Sequence, residues 1–364
     1  MSTHTRAKAV RWTTVIAAAA VLALTGTGAE AAAPVSGTEA VITIGANHAQ
    51  PLVSPDGTKA YVVVTGTDNL VQVKAIDTQT DAVTGQVALS TNQVDLAAGL
   101  SPDGARLYVA NGQQLSVVDT ASLTVVANTA LPDQPRQAGW NPGTLTGLTV
   151  SPDGGTVYVV QNGPTAYRQY GQGRVLAYST ARPAFTGSVQ VPGSFTGTAA
   201  VRPGGRDLYV GSSGGVFHVS TAGATPALVG TVTGTASALD YYPVFTQDGT
   251  RLFALAGGSN GGQADLIDPA ADTVTQHLAL VSGFADLHAP QLSADGTRFY
   301  VAENDYTTGP SVLAVDTATG NVVPAEAVSP DEDGLDGLAA GPDGHTLYVT
   351  GTIGTSGKLQ IIAN

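Results

Sequence analysis

The chain contains no cysteine in its 364 residues. That excludes disulfides, thiolate metal sites and a cysteine nucleophile together. A chain of this length does without covalent staples because its core is large enough. Charge is scarce too, at 12% of residues against 43% hydrophobic, a balance that excludes a globally disordered chain. Positive charge is the scarcest kind, with 15 Lys and Arg against 28 Asp and Glu and a net charge of −13. An acidic surface repels phosphate backbones and anionic headgroups, which argues against nucleic acid and anionic membranes as partners.

Long apolar runs are absent except one near the start. Arg6, Lys8 and Arg11 precede the apolar stretch 12–25, WTTVIAAAAVLALT. Ala29-Glu30-Ala31 and Ala31-Ala32-Ala33 follow it as small-residue cleavage sites. This is the layout of a secretory signal over residues 1–31, cleaved at about 31–33, with residues 34–364 as the mature domain. The apolar stretch falls short of the ~20 residues that a spanning helix needs. The expected product is a secreted protein with no stable membrane span. No cysteine stands after the apolar run to carry a lipid anchor.

Glycine is plentiful, at 45 residues, and sits in short turns between apolar runs, the mark of an all-β chain. One motif returns seven times. It reads SPDGTKAYVVV from Ser54, SPDGARLYVAN from Ser101, SPDGGTVYVVQ from Ser151, RPGGRDLYVGS from Arg202, TQDGTRLFALA from Thr246, SADGTRFYVAE from Ser293 and GPDGHTLYVTG from Gly341. The intervals are 47, 50, 51, 44, 47 and 48 residues, a period that holds one propeller blade. Each unit reads as four strands. An apolar inner strand such as Leu145 to Val150 runs into an x-P-D-G turn, where Pro presets φ, Asp caps the backbone and Gly accepts positive φ. An alternating run follows, such as Leu107 to Ala110, then a third strand such as Leu115 to Val118, a D-T turn, and a fourth strand such as Thr124 to Ala127. The last repeat ends after its third strand, Leu359 to Ile362, while Val41 to Ile44 stands alone before the first. The expectation is an all-β, seven-bladed β-propeller with four antiparallel strands per blade, its last blade closed by the N-terminal strand.

The LYVAN strand at Leu107, the S-P-D-G turns and the V-D-T turn at Val118 resemble YVTN-type propeller repeats. That family includes bacterial surface and periplasmic propellers and the seven-bladed lactonase-like proteins. The resemblance covers about residues 39 to 364. It implies the fold. It says little of activity, because the shared residues belong to turns and strands. Arg202-Pro203-Gly204-Gly205 departs from the pattern by lacking the Asp, and Gln247 replaces the Pro.

In such a blade the D-G and D-T turns share one face, and their acids, among them Asp56, Asp103, Asp153, Asp295 and Asp343, read as turn caps. The opposite face carries the loops that lead into each blade and the loops between second and third strands. These vary from repeat to repeat, which is where binding usually resides. The longest span 161–173, 257–263 and 303–309. They bring Tyr167, Tyr170, Asp305 and Tyr306, and the lead-in positions bring His48, Asp95, Trp140, Phe195, Asp240, Tyr241, Tyr242, Asp286, His288 and Asp336. Aromatics beside carboxylates suit a glycan, a peptide or a protein surface. Carboxylates paired with His suit acid–base hydrolysis of a lactone, with or without a divalent ion. Carboxylates alone supply the oxygen ligands that Ca²⁺ takes, yet no spacing singles out a metal or cofactor site, and no nucleophile elbow is present. Asp331-Glu332-Asp333 reads as a solvated charge run. The preferred reading is a secreted binding or scaffold protein that recognises an extracellular protein, peptide or glycan. The alternative is a lactonase-like hydrolase.

Overall fold

The computed structural model describes residues 37–45, 50–66, 68–91, 96–235, 238, 240–257, 262–282, 285–328 and 330–363. The described residues lie in the unit Ala33–Asn364. Seven of their antiparallel sheets follow in chain order around an axis as a seven-bladed propeller, and an eighth, two-stranded, is a hairpin of blade 3.

Blade 3 shows the pattern, with strands Leu145–Val150, Thr156–Gln161, Gly173–Ser179 and Ala184–Val191 paired in that order. The inner strand matches its sequence expectation residue for residue. Blade 7 consists of Gly334–Ala340, Thr346–Ile353 and Ser356–Ala363, and its fourth strand is Gly37–Gly45 from the other end of the chain. The closure runs from Gly37 opposite Ala363 to Gly45 opposite Gly357. Blade 6 departs from four strands. Its sheet holds Ala285–Leu292, Arg298–Asp305 and Gly309–Asp316. The outer position is reached only by two bridges, Val315 to Val322 and Val312 to Val328, around a 3₁₀ turn Pro324–Glu326. Proline has no N–H to donate to a ladder, so the strand breaks there.

The D-G turns explain themselves chemically. In blades 1, 2, 3 and 6 the Ser hydroxyl donates to the Asp carboxylate at 2.5–2.6 Å. The same carboxylate accepts the N–H two residues on. The D-T threonines then donate to the D-G turn, Thr78 to the Gly57 carbonyl and Thr317 to the Gly296 carbonyl. The two turns of the lower face are sewn together, and the repeated acids cap turns there. The Ser293 hydroxyl and the Thr297 N–H hold Asp295 down to about 2. We predict that Ser293→Ala lowers stability by about 1 kcal/mol, read as a lower urea midpoint with an unchanged slope; a variant as stable as the parent would show the cap to be idle.

The core lies between blades. Tyr61, Tyr108, Tyr158, Tyr209, Phe253, Tyr300 and Tyr348, the aromatic of each repeat, are all buried. Each sits in the apolar cluster shared with the next blade. Phe253 stacks on Phe299 of blade 6 at 4.9 Å.

Candidate functional site: the axial channel

The inner strand of each blade is a sheet edge facing the axis. At several places around the ring small residues let these edges meet. A Cβ on Gly197 would lie 1.9 Å from the Tyr241 carbonyl oxygen, and one on Gly337 would lie 2.9 Å from the Gln50 Cα. No alanine fits at Gly197 while the backbone of blade 5 stays where it is. Blades 5 and 6 instead present Tyr242-Pro243 and Ala289-Pro290 at their inner edges. Proline suits such an edge because it has no N–H to leave unpaired. A channel of about 670 Å³ results, lined by Gln50, Leu148, Thr198, Tyr242, His288 and Asp336 among others.

His288 is a polar side chain of the channel lining held from behind. Its strand carries a bulge between His288 and Gln291, with Ala289 at φ +48°. Positive φ is uncommon for a residue with a Cβ, and a bulge re-aims the neighbouring side chain. The Nε2–H of His288 donates to the Leu335 carbonyl oxygen at 3.1 Å. A carbonyl only accepts, so Nε2 carries a hydrogen, and in the neutral ring Nδ1 is the acceptor. Nδ1 is buried without a hydrogen-bond partner and lies 3.9 Å from an Asp286 carboxylate oxygen. The frame behind His288 is stiff. Asn304 donates to the same Leu335 carbonyl at 3.0 Å and accepts the Leu335 N–H at 2.8 Å, as a neighbouring strand would.

In blade 7 one carboxyl departs from its sequence reading. Asp331 and Asp333 are exposed, but Glu332 is only 3% exposed, and neither carboxyl oxygen has a hydrogen-bond partner. Burial pushes it up to about 7, with the charges of Asp331 and Asp336 adding to the shift. Its stem packs on Gly351, where a Cβ would meet Glu332 Cγ at 2.7 Å. Other blades fill the corresponding position with a buried side chain, Asn111, Gln161, Ser212 or Glu303. Asn111 and Ser212 use theirs to tie down neighbouring backbone, at Thr91 and at Pro192. In blade 7 the glycine leaves that room to Glu332.

The remaining candidates divide. Tyr242, His288 and Asp336 line the channel, with Asp286 beside His288. Tyr241 does not reach it, a correction to the sequence reading. Its side chain is fully buried between blades 4 and 5, and its hydroxyl donates to Asp265 at 3.4 Å. Successive strand residues face opposite ways, so Tyr241 and Tyr242 cannot share a surface. Tyr167 and Tyr170 ride on a hairpin of blade 3, Thr165–Ala166 with Gln169–Tyr170. They are 86% and 51% exposed, and Tyr170 lies 5.0 Å from Phe195, a ledge apart from the channel lining. Asp305 accepts the N–H groups of Thr307 and Thr308 and so caps its own turn, with Tyr306 exposed on it. His48 and Asp95 lie outside the described residues, as does the side chain of Asp240. Among the described residues there is no group of three or more His, Asp or Glu placed to hold a metal ion. Gln50 lines the channel and was missed by sequence reasoning, and Glu332, buried outside the lining, was read as solvated.

No family model matches the chain, and no curated protein matches it. Among solved structures it is similar to a chain of Kuenenia stuttgartiensis hydrazine synthase, with 18% identity and a TM-score of 0.67 over 86% of this chain and 95% of that one. At that identity the likeness is one of fold, and what the sequence and the comparison jointly establish is an all-β, seven-bladed propeller.

Proposed function

We propose that this chain is an exported binding protein that takes its ligand at the mouth of the axial channel, on the face of variable loops. The observation that carries the reading is His288, held from behind by Leu335 and Asn304 with its acceptor nitrogen unpartnered beside Asp286. A buried polar atom without a partner costs stability unless something supplies one, and a preformed cavity with a few fixed polar groups is the usual form of a ligand site. The propeller scaffold is consistent with binding, and the leader with Arg6, Lys8 and Arg11 supports export. No helix among the described residues is long and apolar enough to cross a membrane.

Two measurements test this reading. Protein recovered from the medium of its host should begin near residues 32–34; recovery only inside the cell, with Met1 intact, would remove export. Bait protein should retain a partner or solute from spent medium that a bait with alanine at Asp286, His288 and Asp336 does not. Equal retention by both baits would place binding elsewhere, with the blade 3 ledge of Tyr167 and Tyr170 the next surface to change.

A second reading has one observation in its favour. A histidine of the channel lining with a carboxylate 3.9 Å from its Nδ1 is the pairing that general-base chemistry uses, as lactone opening by water needs. Turnover of a lactone panel, lost in His288→Ala, would replace binding with hydrolysis; no turnover above the water rate would remove the alternative.

A further inference from the structure

We infer that the hairpin of blade 3 is a second binding surface, separate from the channel, which takes an extended acidic segment of a partner protein. The hairpin is held from beneath by buried polar side chains. Arg174 is 3% exposed, and its Nε donates to Gln161 Oε1 at 2.8 Å. Its Nη atoms donate to the carbonyls of Asp133 and Pro132 at 3.1 and 2.6 Å. Gln134, 2% exposed, accepts the Gly143 N–H at 2.7 Å and donates to the Asn162 carbonyl at 2.8 Å. The Gly163 N–H donates to the Ser194 carbonyl, and the Thr196 N–H to the Asn162 side chain. These bonds join the lead-in loops of blades 3 and 4 and the hairpin between them into one frame. Burying a guanidinium is costly unless its donors are all placed, and here they hold one loop conformation. What that conformation presents is exposed: Tyr167, Arg168, Tyr170 and Phe195. Blades 2 and 4 make the same connection in two residues, 112–113 and 213–214, with no hairpin.

Backbone, charge and apolar surface each point to the occupant. Thr165 exchanges both its backbone bonds with Asn141, at 2.8 and 2.9 Å. Tyr170 pairs opposite Thr165, so its own N–H and carbonyl turn to the far side. No described residue bonds them there. An open strand edge of this kind takes an extended peptide, which supplies a carbonyl and an N–H in register. Arg168 stands at the hairpin tip with φ +53°, a conformation that glycine usually takes. Its guanidinium lies 5.4 Å from the centre of the Tyr167 ring and pairs with no carboxylate among the described residues. The chain carries −13, yet residues 154–206 contain no Asp or Glu. An acidic segment therefore meets a free guanidinium at the hairpin and repulsion over the rest of the surface. The rings of Tyr170 and Phe195, 5.0 Å apart and tilted by 52°, give an apolar side chain of that segment an aromatic wall. An anionic glycan shares the carboxylate and lacks the backbone pair that the strand edge takes.

The test selects peptides from a random displayed library on the purified protein and measures a synthetic copy of the best by calorimetry. The selected peptides should carry Asp or Glu beside an apolar residue. Arg168→Gly should weaken the synthetic peptide about tenfold or more, the worth of one charge-assisted hydrogen bond. Glycine accepts the φ of that position, so the variant keeps the hairpin while removing the guanidinium. Tyr170→Ala should weaken the peptide as well. In the parent, bound peptide should slow hydrogen exchange at the Tyr170 amide, which a contact through side chains alone leaves unchanged. A library that yields no peptide, peptides without Asp or Glu, affinity unchanged in Arg168→Gly, or a Tyr170 amide that exchanges as before would overturn the inference. Polygalacturonate that binds through Arg168 where no peptide does would make the ligand a glycan and overturn it too. The channel is tested apart. A variant with alanine at Asp286, His288 and Asp336 should bind the peptide as the parent does. Loss of the peptide in that variant, with Arg168→Gly unaffected, would move it to the channel and leave the hairpin without a role.

Discussion

A chain shortened to begin at residue 46 should lose cooperative folding altogether. The strand Gly37–Gly45 supplies the outer edge of blade 7, and its loss leaves Ser356–Ala363 unpaired on one side. Ile44 is fully buried and Ile42 nearly so, in a cluster with Val62, Tyr348 and Leu359. Burying two such side chains contributes about 1.5–3 kcal/mol each, and each ladder hydrogen bond adds about 1 kcal/mol. The Lys74 ammonium also donates to the Ile44 carbonyl at 2.6 Å, and Lys358 to the Thr43 hydroxyl at 2.7 Å. The sum is on the order of 10 kcal/mol, comparable to the whole stability of a domain. In urea the shortened chain should show no cooperative transition and should aggregate through the freed edge. Ile44→Asp, which buries a charge at the same place, should act in the same direction. A shortened chain that melts cooperatively near the parent's temperature would mean that the strand decorates the ring and does not close it.

Glu332→Gln should stabilise the protein in alkali and leave it nearly unchanged in acid. The glutamate's carboxyl sits at about 7 in the folded chain against 4.5 as its ordinary value. Below about pH 4.5 it is protonated in both states and contributes no pH dependence. Between there and about pH 7 the unfolded chain has released the proton while the folded chain keeps it, so stability falls as pH rises. Above about pH 7 the loss is complete and amounts to about 3 kcal/mol. The amide cannot ionise, so the variant avoids that loss. Its advantage should be close to zero at about pH 4 and reach up to about 3 kcal/mol at about pH 8, or roughly 4 °C in Tm for a ring of this size. Paired melts of parent and variant across that range read the difference directly, since the turn aspartates titrate alike in both. A constant offset at all pH values would mean that Glu332 is not a buried acid in solution.

The fold was legible because its turns are made by local chemistry. Asp and Gly two and three residues after Ser act through bonds that span a few positions, such as Ser101 to Asp103, so they repeat visibly. The closing strand was legible as a strand missing at one end and spare at the other. The outer edge of blade 6 was not, because two bridges around Pro324 carry no strand period. The site was legible in part. Its residues stand where the lead-in loop becomes the inner strand, and that placed Tyr242, Asp286, His288 and Asp336 together. It placed Tyr241 with them as well, because neighbours in sequence look equivalent until the strand assigns each a face. Glu332 read as one charge among three. Its burial depends on the absence of a side chain at Gly351, 19 residues later, which a reader of charge runs does not consult. The signal was present in the repeat, where Gly351 aligns with Asn111, Gln161 and Ser212. The orientation of His288 depends on Leu335 and Asn304, partners that only the pairing of blades 6 and 7 reveals.

The most direct test of the account is ¹⁵N nuclear magnetic resonance of the histidine rings at about pH 8, where free imidazoles are neutral, before and after addition of concentrated spent medium. The chain has six histidines, and His288→Gln assigns the resonance in question by removing it. The account predicts that His288 carries its hydrogen on Nε2, that its Nδ1 signal moves on addition of the medium, and that the other rings stay still. A neutral ring with its hydrogen on Nδ1, or a His288 signal indifferent to the medium while another ring responds, would contradict it.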